Sequence, residues 1–476
     1  MSQGLNGVRE RARKNKAERF TALLHHVSVE LLRESYYGLK RKAAPGVDGV
    51  TWKEYETGVE DRLKDLHGRV HRGAYRALPS KRGWIKKANG KMRPLGIAAL
   101  EDKIVQQAVV TVLNQIYEED FRGYSYGFRP GRQPHQALDA LYVGLKRKKV
   151  NWVLDMDLKA FFDNIEKERL MEIVEQRIAD PRILRLIRKW LNAGVIEEGE
   201  WSETEKGTPQ GAVISPLLAN IYLHHVLDQW ADQWRQDAKG DVILVRYADD
   251  VVIGFQHQHK VKQFVEDLRQ RLSEYGLELN EEKTRLIRFG RFARQNREEL
   301  GEGKPESFTF LGFRHVCAKN SQGRFEIRRI TDGDRRRKKL QELKQELRRR
   351  MHDGVEPVGK WLKSVLNGYY QYHAIPGNLS VLKRFRQQVA RYWFHALEQR
   401  SQRRPTWEKL GPIFDYWLPV PKIVHAFPDA RFDARRGMAS HPRKEPCAVA
   451  PQARVCAGGG RKRPSLPRRC MGGHGP

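Results

Sequence analysis

The chain has 476 residues, 39% of them apolar, which is enough for a substantial core and, at about 150 residues per domain, for about three domains. Lys and Arg number 89 against 58 Asp and Glu, a net charge of +31, so the partner is a polyanion such as nucleic acid, while the reaction stays open. No apolar run reaches the ~20 residues of a membrane span, which argues against a membrane partner.

The basic N-terminus (Arg9, Arg11, Arg13, Lys14, Lys16) lacks the apolar stretch of a signal peptide, and the expected compartment is the cytoplasm. Four cysteines with no Cys-x-x-Cys pair exclude a disulfide framework and argue against zinc.

In chain order, Phe20, Leu23, Leu24, Val27, Leu31 and Leu32 recur at helical spacing, and the turn-rich segment from Ala44 to Val50 closes an N-terminal helical extension, residues 1–50. Helix and strand patterns then alternate over residues 51–330. The stretch Lys86 to Ile97 reads as a basic hairpin turning at Asn89-Gly90, suited to a triphosphate or simply to solvent. Val153 to Leu158 is an apolar strand whose alternation puts Asp155 and Asp157 on one face. Carboxylates there are costly without partners, either nearby arginines or a cation. From Gly207 to Asn220 a turn rich in Gly and Pro leads into an apolar helix; its glycines let backbone approach a nucleotide near Gln210, although a plain helix-entry loop has the same composition.

Val242 to Val245 and Val251 to Ile253 flank Tyr247-Ala248-Asp249-Asp250 as the two strands of a hairpin. Adjacent ionised carboxylates at its tip repel unless a cation lies between them, the alternative being a solvated turn. A polar stretch, 291–307, precedes an alternating strand from Phe308 to Val316. Residues 331–430 read as an all-helical basic module interleaved with Trp361, Tyr369, Tyr370, Tyr372, Tyr392 and Trp393, and residues 431–476 as a basic tail without periodicity, expected to be disordered. Two acidic strands in so basic a chain suggest a shared divalent ion, Mg²⁺ above all, held by carboxylates and substrate phosphates as in two-metal phosphoryl transfer.

In order and approximate spacing these segments resemble the reverse transcriptases encoded by group II introns, over most of residues 30–430. VRYADDVVIGF is similar to the family's catalytic block, VLDMDLKAFFDNI to the block with the first metal ligand, and GTPQGAVISPLLANIYLHHVLD to the nucleotide pocket. GLELNEEKTRLI and FTFLGF resemble the blocks that follow; PGVDGVTW, RPLGIAALEDKIVQQAV and YSYGFRPGRQPHQAL resemble the fingers. VLNGYYQYHAI and WLPVPKIVHAFPDARF look like the thumb or maturase domain.

The resemblance implies an α+β right-hand polymerase, with fingers and an antiparallel palm sheet over 51–330 and a helical thumb over 331–430. It implies Asp157, rather than Asp155, with Asp249 and Asp250 as catalytic metal ligands for two Mg²⁺ ions, Mn²⁺ being a substitute. Phe162 would lie under the incoming sugar and exclude a 2′-hydroxyl, and Gln210 would contact the nucleotide. Arg93 would meet its triphosphate, helped by Lys86, Lys87 and Lys91, and Lys283 would stabilise leaving pyrophosphate. Lys360, Lys363 and Arg384 are the candidates for RNA contact on the thumb.

The implied function is RNA-directed DNA polymerisation together with maturase binding of the parent intron RNA for splicing and mobility. The partners are that RNA, an RNA template with a DNA primer, dNTPs and target DNA, with nucleoid association when acting on DNA. The chain departs from the longest members in showing no paired Cys and His of a nuclease domain, as in endonuclease-lacking bacterial members. Its cDNA primer is then expected from elsewhere. A retron- or defence-type reverse transcriptase and a splicing-only maturase are the alternatives.

Overall fold

The computed structural model describes residues 3–86, 92–197, 200–202, 206–208, 211–400 and 405–438. Eleven strands among them form three sheets. The central one joins β3 (Trp152–Met156), β6 (Val242–Tyr247), β7 (Asp250–Phe255) and β8 (Arg285–Arg288) in the antiparallel order β6-β7-β3-β8. Its strands are rich in Val, Ile and Leu, which suit a pleated surface covered by other elements. The helix Pro134–Arg147 packs on β6, and Gln258–Glu274 lies against β3 and β7. Val153, Leu154, Val252 and Ile253 are buried between these layers.

A second sheet pairs β1 (Ser80–Lys86) antiparallel with β2 (Met92–Ile97) and parallel with β4 (Val195–Glu197), which in turn pairs with β5 (Glu200–Ser202). A third, β9 (Ser307–Phe310), β10 (Phe313–Lys319) and β11 (Phe325–Thr331), is antiparallel throughout. With the helices around them the architecture is α+β.

Two hydrophobic cores organise the chain. The larger runs from Leu5 to Ile327 and also takes in Ile375 and Phe432. The N-terminal helix Gln3–Lys14 buries Leu5, Val8 and Ala12 and packs on the long helix Leu100–Asp120, so the N-terminal extension shares this core. The smaller core lies within the helices Gly333–Arg349, Val355–His373, Leu379–Arg400 and Trp407–Trp417, with Leu362, Leu366, Leu382, Val389 and Trp393 at its centre. Most of the interleaved aromatics are spent here: Trp393 is fully buried, and Tyr369 stacks on Phe385 at 4.1 Å between centroids.

The boundary expected at residue 430 falls inside a helix. Pro428–Met438 docks on the helix Pro134–Arg147, inserts Phe432 into the large core and is held by Lys146–Asp429 and Arg147–Asp433 ion pairs, each 2.7 Å. Anchoring of this kind orders a segment whose composition alone reads as tail. The rest of the tail, from residue 439, lies outside the described residues. Among the described residues no helix is long and apolar enough to cross a membrane.

Candidate active site

β6 and β7 register Tyr247 opposite Asp250, leaving Ala248 and Asp249 as a two-residue turn. Ala248 has φ 57°, the positive value such a tight turn demands. A buried network holds the turn. Arg246 is fully buried and donates from Nε and Nη2 to Asp228 (2.8 and 2.5 Å), and from Nη1 to Asn220 (2.9 Å) and to the Ala248 carbonyl (3.1 Å). Asn220 in turn donates to the carbonyl of Gly127 at 2.8 Å. A Cβ on Gly127 would lie 2.3 Å from the Ala248 nitrogen, so only glycine permits this approach. Burial pushes the Asp228 carboxyl up, but Arg246 and then His224 outweigh it and hold it at about 2.

Asp157 follows directly on β3. Its backbone carbonyl accepts from Asn280 N at 2.9 Å, which seats the segment 278–283 alongside. Its carboxylate accepts from Asn280 Nδ2 at 2.9 Å and from Lys283 Nζ at 2.8 Å. Asp155, paired across β3 with Val252 and Arg285, is pushed up to about 6 by burial, then by the charge of Asp250; Arg285 opposes this and Asp157 adds to it. Asp250 is solvent-accessible yet ringed by protein, and burial, then Asp249 and Asp157, push its carboxyl up to about 6 against the pull of Arg335 and Lys283. Carboxylates from β3 and from the hairpin therefore face one another across the end of the sheet.

Among the described residues, no group of three or more His, Cys, Asp or Glu side chains is placed to hold a metal ion. The chemistry of the face still fits a hard divalent cation. Its donors are carboxylate oxygens, the charges of Asp249 and Asp157 both bear on Asp250, and a Lys ammonium already sits on Asp157 as a counterion.

Phe162 lies in the short helix Phe161–Asn164, half-buried, its ring 5.2 Å from that of Phe161. Its carbonyl accepts from Thr208 N at 3.0 Å, and Gly207, at φ 89°, has no room for a Cβ beside that carbonyl. The turn of the Gly207–Asn220 segment thus rests on the Phe-Phe turn. Gln210 and the side chain of Arg93 lie outside the described residues, as do Lys87, Lys91 and the side chain of Lys86. Lys360, Lys363 and Arg384 are exposed on the helical module, Lys360 paired with Glu356 at 2.6 Å.

Two contributions escaped sequence reasoning. The Arg246–Asp228 pair joins residues whose proximity no local pattern announces. Arg335, just beyond β11, acts on Asp250 from the helical module, and nothing in a run of arginines singles it out.

Comparison with known proteins gives a consistent picture. The family model described as reverse transcriptase (RNA-dependent DNA polymerase) matches residues 85–315. Protein YkfC of Escherichia coli is 33% identical over 316 residues, which cover 60% of this chain and 78% of that protein. Group II intron-encoded protein LtrA of Lactococcus lactis is 36% identical over 227 residues, covering 46% of this chain but only 37% of LtrA. An uncharacterized 91 kDa protein in the cob intron of Schizosaccharomyces pombe is 41% identical over 173 residues, covering 36% of this chain and 21% of that protein.

Proposed function

We propose that the chain, which belongs to the reverse transcriptase family, is one encoded by a group II intron, an RNA-directed DNA polymerase that also serves as a maturase. The central sheet is the palm, β1 and β2 belong to the fingers, and the helical module is the thumb. DNA is made on an RNA template at the face shared by Asp157, Asp249 and Asp250. The observation that carries this reading is geometric: the β6–β7 turn and the end of β3 bring Asp249, Asp250 and Asp157 together, with the charges of Asp249 and Asp157 both bearing on Asp250.

Asp157, Asp249 and Asp250 would hold Mg²⁺, with Mn²⁺ as a substitute; when bound, the ions activate the primer 3′-hydroxyl and neutralise charge on the transferring phosphate. The protein's own share is positioning and charge compensation. Arg246 and Asn220 fix the turn that aims Asp249 and Asp250. Lys283, resting on Asp157 at 2.8 Å, would stabilise pyrophosphate as it leaves. Phe162, braced by Thr208, bears on the sugar of the incoming dNTP and disfavours ribose, while Gln210 and Arg93 bind the nucleotide. The thumb holds intron RNA through Lys360, Lys363 and Arg384, supporting splicing and later mobility into target DNA.

The test is primer extension on an RNA template together with splicing of the flanking intron RNA at low Mg²⁺. Asp249→Ala or Asp250→Ala should abolish extension while leaving RNA binding and splicing support intact. Near-normal extension by either purified variant would refute the metal assignment.

A further inference from the structure

From Gly123 to Arg129 every residue is buried except Phe128, which is 54% exposed. Its backbone is also out of the ordinary, with φ 58°, a left-handed conformation that is disfavoured for any residue with a Cβ and rare for a bulky one. Both neighbours are clamped. On one side Tyr126 N donates to the Arg246 carbonyl and Arg246 N to the Tyr124 carbonyl, each at 2.9 Å, so this segment runs as an added edge along β6. Gly127 then presses against the Tyr247–Ala248 peptide and receives the Asn220 amide.

On the other side Arg129 is buried and fully engaged. It makes two 3.0 Å bonds to the Glu118 carboxylate and 2.7 Å bonds to the carbonyls of Arg122 and Ser125. These anchors fix the backbone on both sides of Phe128. Among the described residues this strained, solvent-facing Phe, next to the glycine that touches the Tyr247–Ala248 peptide, joins neither hydrophobic core and no ring pair. Strain held by such over-determined surroundings concentrates at functional sites.

We propose that the Phe128 ring is a stacking surface for a strand-end nucleobase of the primer–template beside the catalytic turn, and so a residue that positions that end for extension. The inference rests on the polymerase reading. The ligand class follows from the chemistry: an exposed aromatic face in a strongly basic chain suits a nucleobase, which stacks on it without regard to sequence.

The experiment compares wild type with Phe128→Gly, Phe128→Leu and Phe128→Tyr in the full chain. Phe128→Gly relieves the strain, so its melting temperature should equal or exceed that of wild type. Its affinity for an RNA–DNA primer–template should nonetheless fall roughly 5- to 150-fold, the effect of losing one stacked base. Phe128→Tyr should bind as wild type does, and Phe128→Leu should fall between. The dNTP KM should stay within about twofold at saturating duplex, which a general disturbance of the turn would not allow. 2-Aminopurine placed in the template or in the primer strand identifies the stacked base by which position loses its quenching in Phe128→Gly. Duplex affinity unchanged in Phe128→Gly, or a lower melting temperature, overturns the proposal. Duplex binding is measured without turnover, so failure of wild type to extend primers would count against the polymerase reading and leave this result separately legible.

Discussion

Asp250 carries the electrostatic strain of the site in a single side chain. Its carboxyl, pushed to about 6 by burial and then by Asp249 and Asp157, takes up a proton more readily in the folded chain than in the unfolded one. That preference favours the fold most below the ordinary carboxylate pKa of about 4 and is lost as pH rises through about 6, where the ionised group faces its neighbours. Asp249→Asn removes the strongest of these repulsions. The metal-free variant should therefore melt roughly 1–3 °C above wild type at pH 8 and show little gain at pH 4.5, with Mg²⁺ closing the gap by stabilising wild type alone. Thermal melts at both pH values decide; a variant no more stable than wild type at pH 8 would mean that the charges do not oppose one another. How far such residues can be read from sequence has a physical limit. Alternation puts both Asp155 and Asp157 on one face, and only the motif resemblance separates them. The structure keeps both carboxylates electrostatically coupled to Asp250.

At the scale of elements, the β6–β7 hairpin was legible because two valine-rich strands around a polar pair admit few other folds. What holds its turn was not legible. Arg246 and Asp228 are 18 residues apart, on a strand and in a π-helical turn, His224–Asp228, and meet only in the folded chain, where Asn220 on the preceding helix also accepts from Arg246. Breaking one partner strands a buried charge, so Asp228→Asn should cost roughly 3–5 kcal/mol. With its folded pKa held at about 2, Asp228 stabilises the fold above the ordinary carboxylate pKa of about 4, and the contribution is lost as pH falls toward 2. Urea unfolding of the variant should thus show its full deficit at pH 6 and a shrinking one from pH 4 downward. A deficit independent of pH would show that the pair is no more than a packing contact. The helix Pro428–Met438 escaped sequence reading for a related reason, because its order comes from partners, Lys146 and Arg147 among them, on a helix almost three hundred residues earlier.

On the scale of the whole molecule, the net charge of +31 named the partner class before any fold was visible, but it could not say which cations meet RNA. Many are engaged within the protein. Arg246 and Arg329 are buried in ion pairs, and the basic side chains of the helix Gly333–Arg349 are partly tied to acidic neighbours, as in Lys339–Glu342 at 3.3 Å. The RNA-facing set is therefore smaller than the composition suggests. On the helical module Lys363 and Arg384 are exposed, whereas Lys360 must first leave Glu356. Each phosphate contact on a single-stranded RNA contributes about 0.7 to the slope of log K against log salt concentration. Lys363→Ala with Arg384→Ala should then lower the slope for intron RNA by about 1.4, the share of two contacts, and adding Lys360→Ala should lower it by less than a further 0.7 because its ion pair must be given up. Extension of a short primer–template should be little affected, since these exposed side chains sit on the helices around the second core and not on the carboxylate face. Filter-binding titrations across potassium chloride concentrations provide the measurement. An unchanged slope in the double variant would move the RNA interface to another face of the molecule.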